Sequence, residues 1–279
     1  MGDFRPGPPQ LRPGRALAHT TGASGPGSPH RSDGRSPQTP RGARRSDPDG
    51  RLGTTPPVPG RPTSFLLFLL LGLPALLFAL ITWQVVADGP LLRLDSRLSS
   101  ALVRPDRFSE LLSGLGNVQV AVPVLTAVLG YVAWRGHKSG IDHWWLQPTA
   151  AAVLMALVPA FVVPVKDWTA RPGTPVMPPA VGYFPSGHTA TAAIAYGSAT
   201  LLLLPWLRSR AARRTLVAVC AAVVLAVSYG LVRRGYHWPL DVAASWCLCT
   251  VLLTALRLLL TRSTRRSPSG TPSSSTGPS

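Results

Sequence analysis

The sequence predicts an all-α, polytopic membrane protein: a bundle of six transmembrane helices between disordered N- and C-terminal tails. Three observations carry that prediction. Apolar residues stand in blocks of about 20, the length that crosses roughly 30 Å of hydrocarbon. Charged residues fall between those blocks, and the two flanks are rich in Pro, Gly, Arg and Ser. Helices are the expected form of the spans, because lipid offers no hydrogen-bonding partner to an open strand edge.

Residues 1–62 have almost no aromatic side chains. Such a segment cannot bury enough apolar surface to offset its ordering entropy, so a disordered basic cytoplasmic tail is expected. A second disordered tail is expected over 263–279, which leaves 63–262 as the membrane domain. The first apolar block begins far from the N-terminus and is long, which marks a span and not a cleaved signal peptide. The six spans are read at about 64–87, 117–134, 145–166, 186–207, 215–235 and 239–261. Pro74, Pro123, Pro159 and Pro164 lie inside them, where proline kinks a helix.

The formal net charge of +17 is almost all arginine. It collects in the tails and short loops that flank the spans. That distribution fits a membrane face, and no compact basic fold with interleaved aromatics points to nucleic acid. Arg51 and Arg61 precede span one, "RGHK" follows span two, "RSRAARR" follows span four and "TRSTRR" follows span six. With an even number of spans all four stretches lie on one side, expected to be the cytoplasm of a plasma-membrane protein with both termini inside. The 88–116 connection mixes Arg93, Arg97, Arg104 and Arg107 with Asp88, Asp95, Asp106 and Glu110, without the bias of an inside loop. Its "PLLRLDSRLSSALV" carries apolar residues at helical spacing, as in a helix lying on the membrane surface. Tryptophans 83, 134, 144, 145, 168, 206 and 238 fall near span ends, like an aromatic belt. Cys220, Cys247 and Cys249 all lie within spans and read as small apolar packing residues.

The ionisable residues at the outer span ends form a pattern. Lys166 closes span three and Arg171 follows it, His188 opens span four, Arg233 and Arg234 close span five, and His237 and Asp241 open span six. All face the non-cytoplasmic side. Singly, each has a plain reading as a snorkelling anchor, an interfacial polar group or a charge at a helix end. Gathered at one rim, two histidines, a carboxylate and several cations make an anion site. His237 and Asp241 are four apart and share a face of a helix. A carboxylate there accepts a proton from one imidazole nitrogen and leaves the other free to attack. The "PSGH" turn supplies the Ser186 hydroxyl and backbone N–H groups that bind phosphate. Lysine and arginine neutralise developing charge. His188 is placed to protonate a leaving oxygen.

"K…RP", "PSGH" and "H-x-x-x-D", in that order, resemble the motifs of the type-2 phosphatidic acid phosphatase (PAP2) superfamily, in its membrane lipid phosphatase branch. The resemblance covers roughly 64–261, with its signature in 166–241. It implies that His237 is the phosphate-accepting nucleophile, Asp241 its partner and His188 the general acid. It implies that Lys166, Ser186 and Gly187 bind phosphate, with no metal and no cofactor. Two positions depart from the family pattern. Arg171-Pro172 follows Lys166 after four residues where six are usual, so the usual arginine position holds Gly173. The usual Ser-Arg of the third motif is replaced by Gly230 and Leu231. Each charged contact to a buried anion contributes roughly 1.5–3 kcal/mol. Arg171 and Arg234 are therefore expected to substitute for the two arginines, with Arg233 as the weaker candidate.

The function expected is hydrolysis of a lipid phosphomonoester or pyrophosphate at the extracytoplasmic face, through a phospho-histidine. Polyprenyl pyrophosphate, phosphatidic acid and phosphatidylglycerol phosphate all fit. The partners are then the lipid phosphate and the bilayer, and the oligomeric state stays open. A metal-dependent hydrolase with His188, His237 and Asp241 as ligands accounts for those three residues and leaves the cations unexplained. A catalytically altered phosphatase scaffold, acting in lipid binding or transport, accounts for the missing arginines.

Overall fold

The computed structural model describes residues 63–265. The tail expected over 1–62, and all but the first three residues of that expected over 263–279, lie outside the described residues. The first span is α-helical at Thr63–Leu67 (α1) and Leu73–Val86 (α2), with a π-helical turn at Phe68–Gly72 between them. Then follow α3 (Leu91–Leu102), α4 (Arg107–Gly114), α5 (Val118–Lys138), α6 (Leu146–Thr169), α7 (Gly187–Leu203), α8 (Arg210–Arg234) and α9 (Pro239–Arg265). Six stretches among the described residues are long and apolar enough to cross a membrane: Phe65–Val86, Val118–Lys138, Leu146–Thr169, Gly187–Trp206, Arg210–Arg234 and Pro239–Thr261. The all-α, six-span fold read from the sequence is the fold observed.

The helices run past the apolar blocks. α5 continues to Lys138 and α6 to Thr169, and α8 begins at Arg210 and not near 215. Ser209 sets that start, its hydroxyl accepting from the Ala212 N–H at 3.4 Å, which satisfies one of the free donors of a helix N-terminus. Hydropathy marks where lipid ends, whereas capping marks where a helix ends. Pro123, Pro159 and Pro164 lie inside α5 and α6, and Pro74 stands in the first turn of α2.

α7 is the centre of the bundle and packs against α5, α6, α8 and α9. Its buried face is built from small side chains, including Ala190, Ala192, Ala193, Ala195, Gly197 and Ala199. Small residues let helix backbones approach closely where lipid supplies no hydrophobic drive between helices. Cys249 is buried in the same core, beside Val158, Val162 and Ile194. Lipid-length helices at the periphery keep large apolar side chains exposed, such as Phe65, Leu76 and Leu80 on the first span.

The 88–116 connection contains the two helices α3 and α4, which pack against α2, α8 and α9. α3 exposes Leu91, Leu94, Leu98 and Leu102 and buries Asp95 and Ser99. The stripe expected of a membrane-surface helix is therefore present, and its opposite face is in contact with protein. α4 starts in a capping box. Asp106 accepts from Ser109 N at 2.6 Å, and the Ser109 hydroxyl accepts from Asp106 N at 3.2 Å. α4 packs on α8. Gly230 permits that contact, because a Cβ there would stand 2.6 Å from Ser113 N and 2.7 Å from Ser109 O.

Candidate active site

Lys166 near the end of α6, Gly187 and His188 at the start of α7, and His237 ahead of α9 line one cavity of about 450 Å³. Tyr183 and Gly182 from the α6–α7 connection complete its polar part, and Val158, Pro159, Val162 and Val163 of α6 form an apolar wall. The His188 and His237 rings are 6.4 Å apart between centroids, and the Tyr183 ring meets His237 edge-on at 5.9 Å. Lys166 Nζ donates to the Gly182 carbonyl at 2.6 Å. That carbonyl is presented by a backbone with φ of +88° at Gly182, a conformation glycine adopts without steric cost.

His237 and Asp241 meet, but not on a shared helix face. α9 begins at Pro239, so His237 lies in the turn before it. Asp241 is in the first turn of α9, where its Oδ2 accepts from Trp238 N at 3.1 Å and faces His237 Nδ1 at 3.2 Å. A carboxylate in the first turn reaching back to the preceding backbone N–H is a helix-capping arrangement, and the imidazole shares that oxygen. Nδ1 is thereby engaged, and Nε2 is the ring nitrogen left for the cavity.

The "PSGH" turn is locked from behind. Phe184–Pro185 is a cis peptide. Ser186 N donates to the Asp241 carbonyl at 3.1 Å, and the Ser245 hydroxyl lies 2.9 Å from the carbonyls of both Ser186 and Asp241. Ser186 is fully buried, and its hydroxyl accepts from Thr189 N at 3.3 Å as the N-cap of α7. Ser186 therefore shapes the turn, while Gly187 and His188 line the cavity.

The expected substitute arginines are placed elsewhere. Arg171 is 5% exposed and its guanidinium bridges two carboxylates, Asp241 Oδ1 and Asp95 Oδ2, each at 2.5 Å. The Trp238 ring lies 5.3 Å from that guanidinium, and the Trp238 indole N–H donates to the Pro172 carbonyl at 3.0 Å. Trp238 thus covers Arg171 as well as standing near a span end. Asp95 is 1% exposed, and its other oxygen accepts from Leu240 N at 2.9 Å. Burial raises the Asp95 carboxyl from its ordinary value, against the lowering effect of Arg171. Arg234 contacts the Tyr236 hydroxyl at 3.2 Å and Glu110 at 3.9 Å. Arg233 pairs with Asp106 at 2.8 Å. Both turn towards α4, and among the described residues lining the cavity Lys166 is the single Lys or Arg.

The departures from the family pattern are filled by packing. A Cβ at Gly173 would lie 2.8 Å from the Tyr183 ring. Leu231 is fully buried with Ala192 and Val227, against Leu115, Tyr196 and Tyr236. Asp95, Tyr183 and Ser245 are site residues that sequence reasoning missed. Asp95 stood out only as one charge in an unbiased loop, and nothing local distinguishes Tyr183 or Ser245. Among the described residues, no group of three or more His, Cys, Asp and Glu side chains is placed to hold a metal ion.

Comparison with known proteins agrees with this architecture. Residues 147–265 match the family model of the PAP2 superfamily. The fold is similar to the crystal structure of the first transmembrane PAP2-type phosphatidylglycerolphosphate phosphatase from Bacillus subtilis, with a TM-score of 0.57 and 20% identity over 70% of this chain and 98% of that one. No curated protein matches. The chain thus has six apolar helices of membrane-spanning length and a fold similar to that of a PAP2-type membrane phosphatase.

Proposed function

We propose that the protein hydrolyses a lipid phosphomonoester or pyrophosphate, of the phosphatidylglycerol phosphate, phosphatidic acid or polyprenyl pyrophosphate type, at the extracytoplasmic face of the plasma membrane. The observation that carries this reading is the convergence of Lys166, Gly187, His188 and His237 on one cavity, with Asp241 engaging His237 Nδ1. His237 Nε2 attacks phosphorus and the bond from phosphorus to the leaving oxygen breaks. His188 delivers the proton that oxygen needs. Water then attacks the phospho-histidine, His188 takes its proton, and inorganic phosphate leaves with His237 restored. Asp241 orients the ring and offsets its positive character while phosphorus is attached. Lys166 and the N–H groups opening α7 hold the phosphoryl oxygens. The apolar wall from α6 suits the lipid part of the substrate, and no step requires a metal.

A second reading, a phosphatase scaffold that binds or moves lipid without cleaving it, draws on Lys166 being the single Lys or Arg among the described residues lining the cavity. Phosphate release separates the two. The purified protein in detergent with EDTA, presented with a panel of these lipids, is expected to release inorganic phosphate, and His237→Ala is expected to release none. Equal release by both proteins would end the histidine mechanism. No release by folded wild-type protein would favour the scaffold.

A further inference from the structure

We infer that Asp95, on the surface helix α3, is a positioning residue for the reaction, acting through Arg171 on Asp241 and so on His237. This inference rests on the phosphatase reading and adds a component that the 147–265 family segment does not contain. Three facts carry it. The Arg171 guanidinium is shared, with Nη1 on Asp241 and Nη2 on Asp95. Asp95 is buried, and its second oxygen accepts from Leu240 N at the start of α9, one residue before Asp241. Asp241 uses the oxygen that Arg171 leaves free to engage His237 and Trp238 N.

A cation held by one carboxylate alone would withdraw that carboxylate's charge from its other partner. Here a second carboxylate takes one of the guanidinium's two terminal nitrogens. Asp241 therefore keeps charge for the imidazole, whose ring becomes more positive when Nε2 bonds phosphorus. Asp95 also fixes the backbone of Leu240, so the carboxylate of Asp241 and its helix turn are set from the same side chain. α3 thus closes the site from behind: its exposed leucines face away while Asp95 reaches 76 residues along the chain to Arg171. The fold thereby directs Arg171 to orientation and away from phosphate.

The test uses the full chain in detergent. Asp95→Asn keeps an oxygen acceptor for Leu240 N and removes the charge from Arg171. Asp95→Glu restores the charge, and Arg171→Lys keeps a cation but not the two-armed grip. Ser96→Ala, on the exposed side of α3, is the control. We expect kcat to fall about 10- to 100-fold in Asp95→Asn and Arg171→Lys, with KM within about two-fold and partial recovery in Asp95→Glu, as for other residues that orient a reacting ligand. A residue serving only to hold the fold would lower the melting temperature without this split. The His237 Nδ1–H proton resonance, assigned by its loss in His237→Ala, gives a readout that needs no activity. It should shift or broaden in Asp95→Asn and stay in place in Ser96→Ala. Wild-type kcat with an unmoved resonance, in whichever of the three variants fold, overturns the inference. Wild-type protein that releases no phosphate overturns the phosphatase reading, and the resonance still decides the role of Asp95.

Discussion

Arg171 and Arg234 stand at the same end of the bundle, and their surroundings differ. Arg171 is 5% exposed and holds two buried carboxylates behind His237. Arg234 is 23% exposed and leans on Tyr236 and on a distant Glu110. From the sequence they are equivalent cations near the candidate site. In the fold, one is held between Asp95 and Asp241 and the other lies against Tyr236 and Glu110. Charge near an anion site is thus no measure of charge in it; what a guanidinium already holds decides what it can still bind.

The sharpest test of that contrast removes each arginine. Arg171→Met leaves Asp95 and Asp241 buried without their cation, and breaking such a group costs about 3–5 kcal/mol. A large drop in melting temperature is expected together with loss of phosphate release. Next comes Lys166→Ala, which empties the cavity of its cation. Activity is expected to fall about 10²- to 10³-fold, as when a preorganised donor to developing charge is lost, with little change in melting temperature. Gly230→Ala then probes the α4–α8 contact that carries Arg233 and Arg234. Overpacking there costs about 1–3 kcal/mol, read in thermal unfolding, and leaves kcat of the folded fraction near wild type.

Arg234→Ala should retain activity within about two-fold, as expected of an exposed pair. A loss as large as that of Lys166→Ala would place Arg234 at the phosphate and break the comparison. The smallest effect concerns Asp106. The Ser109 backbone N–H and then Arg233 hold its carboxyl down to about 2 from 3.8. A depressed acid stabilises the fold above its ordinary value and loses that contribution as pH falls through the folded one. The melting-temperature advantage of wild type over Asp106→Ala should therefore hold at neutral pH and fade between 3.8 and about 2.

Part of the candidate site was legible in the sequence because its residues stand in short local motifs. The "PSGH" turn and the four-residue step from His237 to Asp241 name their own partners. Lys166 was legible as a basic residue at an outer span end. The reason for the His237–Asp241 contact was not legible, since helical periodicity and a capping turn both bring residues four apart together. Asp95 was hidden for a different reason. An aspartate on an amphipathic surface helix reads as solvated, and its burial depends on Arg171 and Leu240, which lie 76 and 145 residues away.

The sequence by itself determined the class of fold and the end of the bundle where the ionisable groups collect. Block length, the placement of charge and local motif spacing are properties of neighbouring residues, so they mark the helices without knowledge of the fold. Only the tertiary structure decided which cations reach the cavity, what packs against Gly230 and Leu231, and that Asp95 of α3 meets Arg171 and Leu240 N. Those outcomes depend on which side chains share a buried space. A charge in low dielectric takes the partner that packing brings within hydrogen-bond distance, and that partner is not a neighbour in the chain.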